Sequence, residues 1–347
     1  MSNRLPILFL PGDTYANRMP DPVLQQVEHF SNPGMTANDS FKPVTKYFDR
    51  ITRPEQILQS LPQAIQTMLD PADCGPACLS LCQDVQGETF EYPEEFFKER
   101  IHNIRRPKPD DFQIKQAVEK IKNSKNPIII SGGGVFYSDA MEELGNFAVK
   151  HNIPVTQTVM GYSTMKKDHS HFVGPIGGLG GKAANNLAKE TDLAICIGTK
   201  LADFTTGSWA NFENPEFKLV SINIARHDAN KHLAEAVIGD AKVTLTELSN
   251  AIGDWKSSDN WHKKSQDELK SWNEYVDKES GPTNQELPSY AHAVGAIYRN
   301  SDPTDIAVTA AGGLVGEVVQ VWRPKELNTH ETEWGFSCMS YEISGAL

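Results

Sequence analysis

The sequence is short of the features that mark several protein classes. Only five of its 347 residues are cysteine, an odd and sparse set that argues against the disulfide frameworks of small secreted domains. No apolar run approaches the ~20 residues that cross a bilayer. At the amino end, Ile7-Leu-Phe-Leu10 is too short for a signal-peptide core. A cytoplasmic protein with no membrane partner is the expectation. Basic residues are outnumbered, 33 Lys and Arg against 45 Asp and Glu, leaving a formal charge of −12. That balance argues against a nucleic-acid partner, whose phosphates demand basic patches. Low-complexity tracts and short-period repeats are absent. What is there, 39% hydrophobic and 22% charged residues, is the composition of a globular chain with room for two to three domains.

Organisation follows from where strand and helix patterns alternate. Residues 1–90 hold two strand signals, over 5–10 and 77–82. Between them, apolar spacing at Ile57, Leu58, Leu61, Ile65, Met68 and Leu69 predicts a helix over 54–69 opened by Pro54. Residues 91–111 are charged and proline-bearing and read as a linker. From 112 to 253 the alternation is regular: strands over 127–131, 153–156, 192–198 and 218–224, and helices over 113–123, 140–151, 183–189 and 242–252. That pattern predicts a complete α/β domain with a doubly wound parallel sheet. Residues 254–279 connect it to a last region, 280–347. There a helix over 285–298 leads to a buried strand and the glycine turn Ala310-Ala-Gly-Gly-Leu314. A second turn lies near 334–340, before what looks like a helix start. One βα unit cannot bury both faces of its strand. The outer regions are therefore expected to be partial α/β domains, and the chain an internal piece of a larger enzyme.

Several residue groups invite a chemical reading. Cys74, Cys78 and Cys82 lie four apart, unlike the close Cys-x-x-Cys pairs of zinc sites, and are expected to pack. The triplet Gly132-Gly-Gly134 follows a strand and reads as a tight turn or a phosphate cradle, with the turn preferred. Gly174-Pro-Ile-Gly-Gly-Leu-Gly-Gly-Lys-Ala183 resembles a Walker loop superficially. Ile176 stands where a glycine is required, and Ala183 replaces the hydroxyl that would hold magnesium. Its helix start remains an alternative site for a nucleotide phosphate. Asp168, His169 and His171 lack a third ligand at recognisable spacing and read as a solvated loop. Ser208 sits in no nucleophile-elbow context. The pairs Glu94-Glu95 and Asp110-Asp111 read as solvated. Met339, on residue chemistry alone, belongs in a core.

Longer stretches carry a family likeness. They are Pro11-Gly-Asp-Thr-Tyr-Ala-Asn-Arg-Met-Pro-Asp-Pro-Val-Leu-Gln-Gln26, Thr36-Ala-Asn-Asp39, Tyr47-Phe-Asp-Arg-Ile-Thr-Arg-Pro-Glu-Gln56, Asp70-Pro-Ala-Asp73 and Gln83-Asp-Val-Gln-Gly-Glu88. Gly198-Thr-Lys-Leu-Ala-Asp-Phe204 and Gly335-Phe-Ser-Cys-Met-Ser-Tyr-Glu-Ile-Ser-Gly-Ala-Leu347 continue the set. With these the chain resembles thiamine-diphosphate enzymes of the acetolactate synthase type. Within them it is most similar to the branch that hydrolyses a C–C bond of a cyclic 1,2-dione in myo-inositol breakdown.

The resemblance implies three α/β domains. Residues 1–90 would be the carboxyl-terminal part of a pyrimidine-binding domain, 112–253 a whole Rossmann-like central domain, and 280–347 the opening of a diphosphate-binding domain. It implies thiamine diphosphate and Mg2+ as cofactors, a small cyclic dione as substrate, and a homodimer or homotetramer with the cofactor between subunits. It places Gly313, Leu314, Ser337, Cys338 and Met339 at the cofactor, Met339 as the apolar wedge that keeps it bent. The family's activating glutamate and its Gly-Asp-Gly…Asn metal motif are not found here, so no catalytic or metal residue is assigned. A polypeptide of these residues alone is expected to be inactive. Ser340 stands where the family usually has glycine. An acetolactate synthase-like carboligase and a non-catalytic nucleotide-binding module, taking FAD, ADP or NAD, are the alternatives.

Overall fold

The computed structural model describes residues 1–20 and 22–347; Asp21, within the 11–26 stretch quoted above, lies outside them. The chain forms two compact units, Met1–Arg105 and Arg106–Leu347.

The first unit is a small parallel sheet with one long helix. It comprises β1 (Leu8–Phe9), β2 (Gly12–Asp13), β3 (Tyr47–Ile51), α1 (Ile57–Leu69) and β4 (Ala77–Cys82). β4 is central: β1 and β2 line one side and β3 the other, all parallel to it. The strand expected over 5–10 is broken because Pro6 and Pro11 have no N–H to give. The carbonyls of Ile7 and Pro11 still accept from Ala77 and Leu81 at 2.8 and 2.9 Å. Ala64 of α1 packs on the fully buried Ala77 and Leu79. Cys78 and Cys82 are buried in β4, and Cys74 donates its Sγ to the Met68 carbonyl at 3.0 Å. β3 goes unannounced by the residues because Asp49 and Arg50 interrupt its apolar pattern. Both charges find partners: Asp49 accepts from Ser60 Oγ, and Arg50 enters the network described below.

The second unit begins with α2 (Asp111–Lys122), capped by the Asp110 side chain accepting from Phe112 N. Then come β5 (Pro127–Ser131), α3 (Gly134–Tyr137), α4 (Met141–His151), β6 (Val155–Gln157), β7 (Phe172–Pro175), α5 (Lys182–Glu190), β8 (Leu193–Ile197), α6 (Asp203–Thr206), β9 (Lys218–Asn223), α7 (Arg226–Ala229), β10 (Glu235–Ile238) and α8 (Ala241–Ile252). The six strands are all parallel in the order β10-β9-β8-β5-β6-β7. The chain starts in the middle, winds one way through β6 and β7, then returns past β5 to build the other half. Every residue of β5 and β8 is buried, which is why they read as near-continuous apolar runs. One sheet face packs on α2, α4 and α8 through Ala117, Phe147 and Leu245. The opposite face packs on α5 and α9 (Asp259–Glu279) through Leu187 and Trp261. The doubly wound reading holds. It missed the edge strands β7 and β10, short segments in which Gly174, Pro175 and Glu235 blur the pattern, and the one-turn helices α3, α6 and α7.

Beyond α9, α10 (Tyr290–Asn300), β11 (Ala307–Thr309), α11 (Gly313–Val321), β12 (His330–Thr332) and α12 (Tyr341–Gly345) follow. β11 and β12 pair in parallel. Tyr298, Val318, Val321 and Trp322 close a core against Val276 of α9. No helix among the described residues is long and apolar enough to cross a membrane.

Candidate functional site

The carboxyl ends of β11 and β12 open onto two loops. After Thr309 the chain turns at Gly312, whose φ of 89° and ψ of −176° only glycine adopts without strain. α11 starts at the next residue and no side chain caps it. A Cβ on Gly312 would meet nothing within 4 Å, and one on Gly313 would touch only Tyr290 Cε2 at 4.0 Å. Nothing crowds this side of the turn. A bare turn running into a nine-residue helix can admit an anion to its backbone N–H groups. Leu314, in the first turn of α11, is exposed.

The second loop is shaped by one carboxylate. Glu333 accepts from Phe336 N at 3.0 Å through Oε1 and from Cys338 N at 2.7 Å through Oε2. Its two oxygens therefore fold residues 333–338 into a bend. Ser337 takes φ 49° and Ser340 φ 76°, both left-handed. α12 starts immediately after Ser340 and lies against β11. Tyr341 Oη donates to Glu331 Oε1 at 3.2 Å. Desolvation and the Glu333 carboxylate push the Cys338 thiol up, so it is no ready nucleophile at neutral pH. Met339 is 82% exposed, which overturns the core placement that its chemistry alone favours. It projects from the tip of a bend with no packed layer around it, free to meet a ligand.

The other candidate groups resolve on structural grounds. The Gly132–Gly134 triplet crosses over the end of β8: Gly132 N donates to Ile197 O at 2.8 Å and Gly134 N to Gly198 O at 2.9 Å. A Cβ on Gly134 would sit 2.6 Å from Gly198 Cα. These glycines allow backbone to pass over backbone, as a tight turn requires. In the Walker-like loop the amides are spent internally. Gly177 N donates to Asn185 Oδ1, Gly178 N to Phe204 O, Gly180 N to Gly177 O and Gly181 N to Pro175 O. The helix start is also covered, because a Cβ on Gly181 would lie 2.6 Å from Trp272 Nε1. An open phosphate cradle is absent there.

The solvated-loop reading of the 168–171 segment fails at His171, which is 5% exposed. Its ring stacks on His262 of α9 at 4.3 Å, its Nε2 lies 3.2 Å from Asn152 Oδ1, and His169 sits at 5.9 Å. Burial first, then the neighbouring imidazoles, lower the His171 pKa to about 4. The sequence hides this cluster because His262 is 91 positions away. Among the described residues no group of three or more His, Cys, Asp or Glu side chains is placed to hold a metal ion.

A charged network in the first unit is the feature that residue-by-residue reading overlooked. Asp13, with a side chain fully buried, accepts from Arg50 Nε at 2.7 Å, from Ser80 Oγ and from Thr14 N. Arg50 Nη2 reaches Asp39 Oδ2 at 2.8 Å and Thr36 Oγ1 at 2.9 Å. Lys42 pairs with the other Asp39 oxygen at 2.6 Å. Burial disfavours the charged form of Asp39, yet Lys42, the Thr36 amide and Arg50 outweigh it and hold its pKa at about 2. The Gly-Asp-Thr, Thr-Ala-Asn-Asp and Phe-Asp-Arg-Ile stretches that carried the family likeness thus meet in space. Two carboxylates are balanced by two cations with good geometry, so the network ties the end of β2 to β3 and β4.

Residues 114–248 match the family described as thiamine pyrophosphate enzyme, central domain. Among curated proteins it is similar to the 3D-(3,5/4)-trihydroxycyclohexane-1,2-dione hydrolases. That of Clostridium perfringens strain 13 is 40% identical across 99% of this chain. Those of Clostridium tetani and Shouchella clausii are each 40% identical across 100% of it. In all three the chain spans 58% of the relative's length.

Proposed function

We propose that these residues belong to a thiamine-diphosphate-dependent hydrolase that opens the ring of trihydroxycyclohexane-1,2-dione to 5-deoxy-glucuronate in myo-inositol breakdown. The observation that carries the reading is 40% identity to hydrolases of that name, sustained over essentially all of the chain. On this reading residues 1–90 belong to a pyrimidine-binding domain, 91–111 to a linker and 112–253 to the central domain. Residues 254–279 then form the connection, and 280–347 belong to a diphosphate-binding domain.

The residues present fit the cofactor at the uncrowded Gly312–Gly313 turn. The backbone of Gly313 and Leu314 would receive the diphosphate at the start of α11, and the Ser337-Cys338-Met339 bend would face the cofactor's organic part. Glu333 acts as the positioning residue, since both its oxygens hold that bend. Met339 contributes apolar surface that excludes water. Bound thiamine diphosphate supplies the electron sink for C–C cleavage. Mg2+ would accompany the diphosphate, with none of the described residues assigned to it. The substrate is neutral, so the charge of −12 poses no electrostatic barrier. A cytoplasmic homodimer or homotetramer completes the proposal.

The test is the gene product carrying these residues, supplied with thiamine diphosphate, Mg2+ and the cyclic dione. Appearance of the open-chain acid supports the proposal. Acetolactate formed from pyruvate, with no dione consumed, would transfer it to the carboligase reading. The nucleotide-module alternative is the weaker one, because the amides of Gly132, Gly134, Gly177, Gly178, Gly180 and Gly181 are already bonded.

A further inference from the structure

Away from the cofactor loops, cations converge on one aromatic ring in this acidic chain. Tyr298 of α10 is 7% exposed. Lys167 Nζ donates to its hydroxyl oxygen at 2.8 Å and lies 5.3 Å from the ring centroid. Lys325 Nζ lies 4.6 Å and Arg323 Cζ 5.7 Å from the same centroid. Lys166, next in sequence to Lys167, is paired to Glu326 at 3.3 Å, and Arg323 Nη2 is paired to Asp277. Four cations thus meet two carboxylates. Lys325 donates to the carbonyls of Tyr298 and Ser301 and to Ser301 Oγ, all neutral oxygens. Among the described residues neither Lys167 nor Lys325 forms an ion pair with a carboxylate.

Two buried donors near this cluster are also unspent. Among the described residues Arg323 Nε has no hydrogen-bond partner, and neither has the hydroxyl of Tyr162, a residue with 0% exposure. Burial pushes the Tyr162 hydroxyl far above its ordinary pKa, and the Arg323 charge is close enough to pull the other way. A buried donor left without an acceptor has given up its hydration with nothing in exchange. These two donors and the Lys167 ammonium lack the same thing, a charged acceptor, and Lys325, whose three hydrogens are already donated, adds its positive charge beside them.

We propose that Lys167, Arg323, Lys325 and the Tyr298 and Tyr162 hydroxyls form a binding site for a phosphate dianion, separate from the cofactor loops. Arg323 offers planar paired donors and the lysines point charges, the usual division of labour around phosphate. The inference does not depend on the dione chemistry.

The probe is inorganic phosphate, titrated against the purified protein at constant ionic strength with chloride as the balancing anion. Three variants accompany the wild type: Lys167→Gln, Lys218→Gln as a lysine outside the cluster, and Gly313→Val at the glycine turn. A saturable rise in melting temperature is expected for wild type, Lys218→Gln and Gly313→Val. In Lys167→Gln, whose exposed side chain donates to the Tyr298 hydroxyl, phosphate affinity should fall at least tenfold. Equal melting temperatures in phosphate and chloride would overturn the site. So would a phosphate response abolished by Gly313→Val and kept by Lys167→Gln, which would move the anion to the cofactor turn.

Discussion

Asp13 Oδ2 lies 2.7 Å from Arg50 Nε, joining the end of β2 to the middle of β3 across 37 positions of sequence. The pair is the keystone of the first unit, because each partner has a further bond that depends on the other staying in place. Removing Arg50 leaves the fully buried Asp13 carboxylate without a cation, while Asp39 keeps only Lys42. Arg50→Met is therefore expected to destabilise the first unit by about 3 kcal/mol, the cost of breaking a buried pair from one side. Urea unfolding followed by hydrogen exchange at residues 77–82 measures it. A loss below about 1 kcal/mol would show that the pair behaves as an exposed one.

The stacked imidazoles of His171 and His262 predict an acid sensitivity of the second unit. Both pKa values are lowered by burial, His171 to about 4. The unfolded chain therefore takes up protons first. Stability should be fully present above the ordinary histidine pKa of about 6.5 and fall with pH down to about 4. Melting temperature against pH checks this, and His171→Phe, which keeps the stack and removes the titration, should flatten the slope. An unchanged slope in that variant would assign the acid loss to other groups.

Gly181 supports Trp272, whose indole lies where a Cβ would stand. Gly181→Val should cost about 1–3 kcal/mol through forced repacking and expose Trp272 to solvent, read as a red-shifted fluorescence. Adding Trp272→Ala should return part of the loss, since the two changes relieve one another. Strict additivity would mean the loop fails for another reason.

Ser340 adopts φ 76° and ψ 0°, the left-handed conformation that costs an L-residue about 1–2 kcal/mol. A glycine would meet this geometry without strain, and this chain meets it with a serine. Ser340→Gly is expected to raise stability by up to about 1 kcal/mol, after allowance for glycine's extra unfolded-state entropy. Thermal unfolding with retained hydrogen-exchange protection at Cys338 decides it. A lower melting temperature would mean that the serine side chain makes a contact worth more than the strain.

How far the residues alone announced this architecture depended on burial. β5 and β8 are enclosed on both faces, so Pro127-Ile-Ile-Ile-Ser131 could be read directly. β3 could not, because its Asp49 and Arg50 are stabilised by partners distant in sequence. Edge strands β7 and β10 are short and half-patterned. At the candidate site, the glycine turn at 312–313 was legible from composition, whereas the exposure of Met339 was not. Met339 is exposed because Glu333 bends the chain, and no local pattern encodes a carboxylate gripping two amides three and five residues ahead. The His171–His262 stack was invisible for the same reason: proximity created by the fold leaves no spacing to read.

The most direct test of the central claim, that the turn at Gly312 and Gly313 receives thiamine diphosphate, is calorimetric titration of the cofactor with Mg2+ into wild type and Gly313→Val. A Cβ at Gly313 has room in the fold, with only Tyr290 Cε2 at 4.0 Å, so the valine should leave the structure standing while filling the approach to the backbone. The expected result is saturable binding by the wild type, weakened at least tenfold in the variant with unchanged melting temperature. Equal affinity in the two proteins would contradict the assignment.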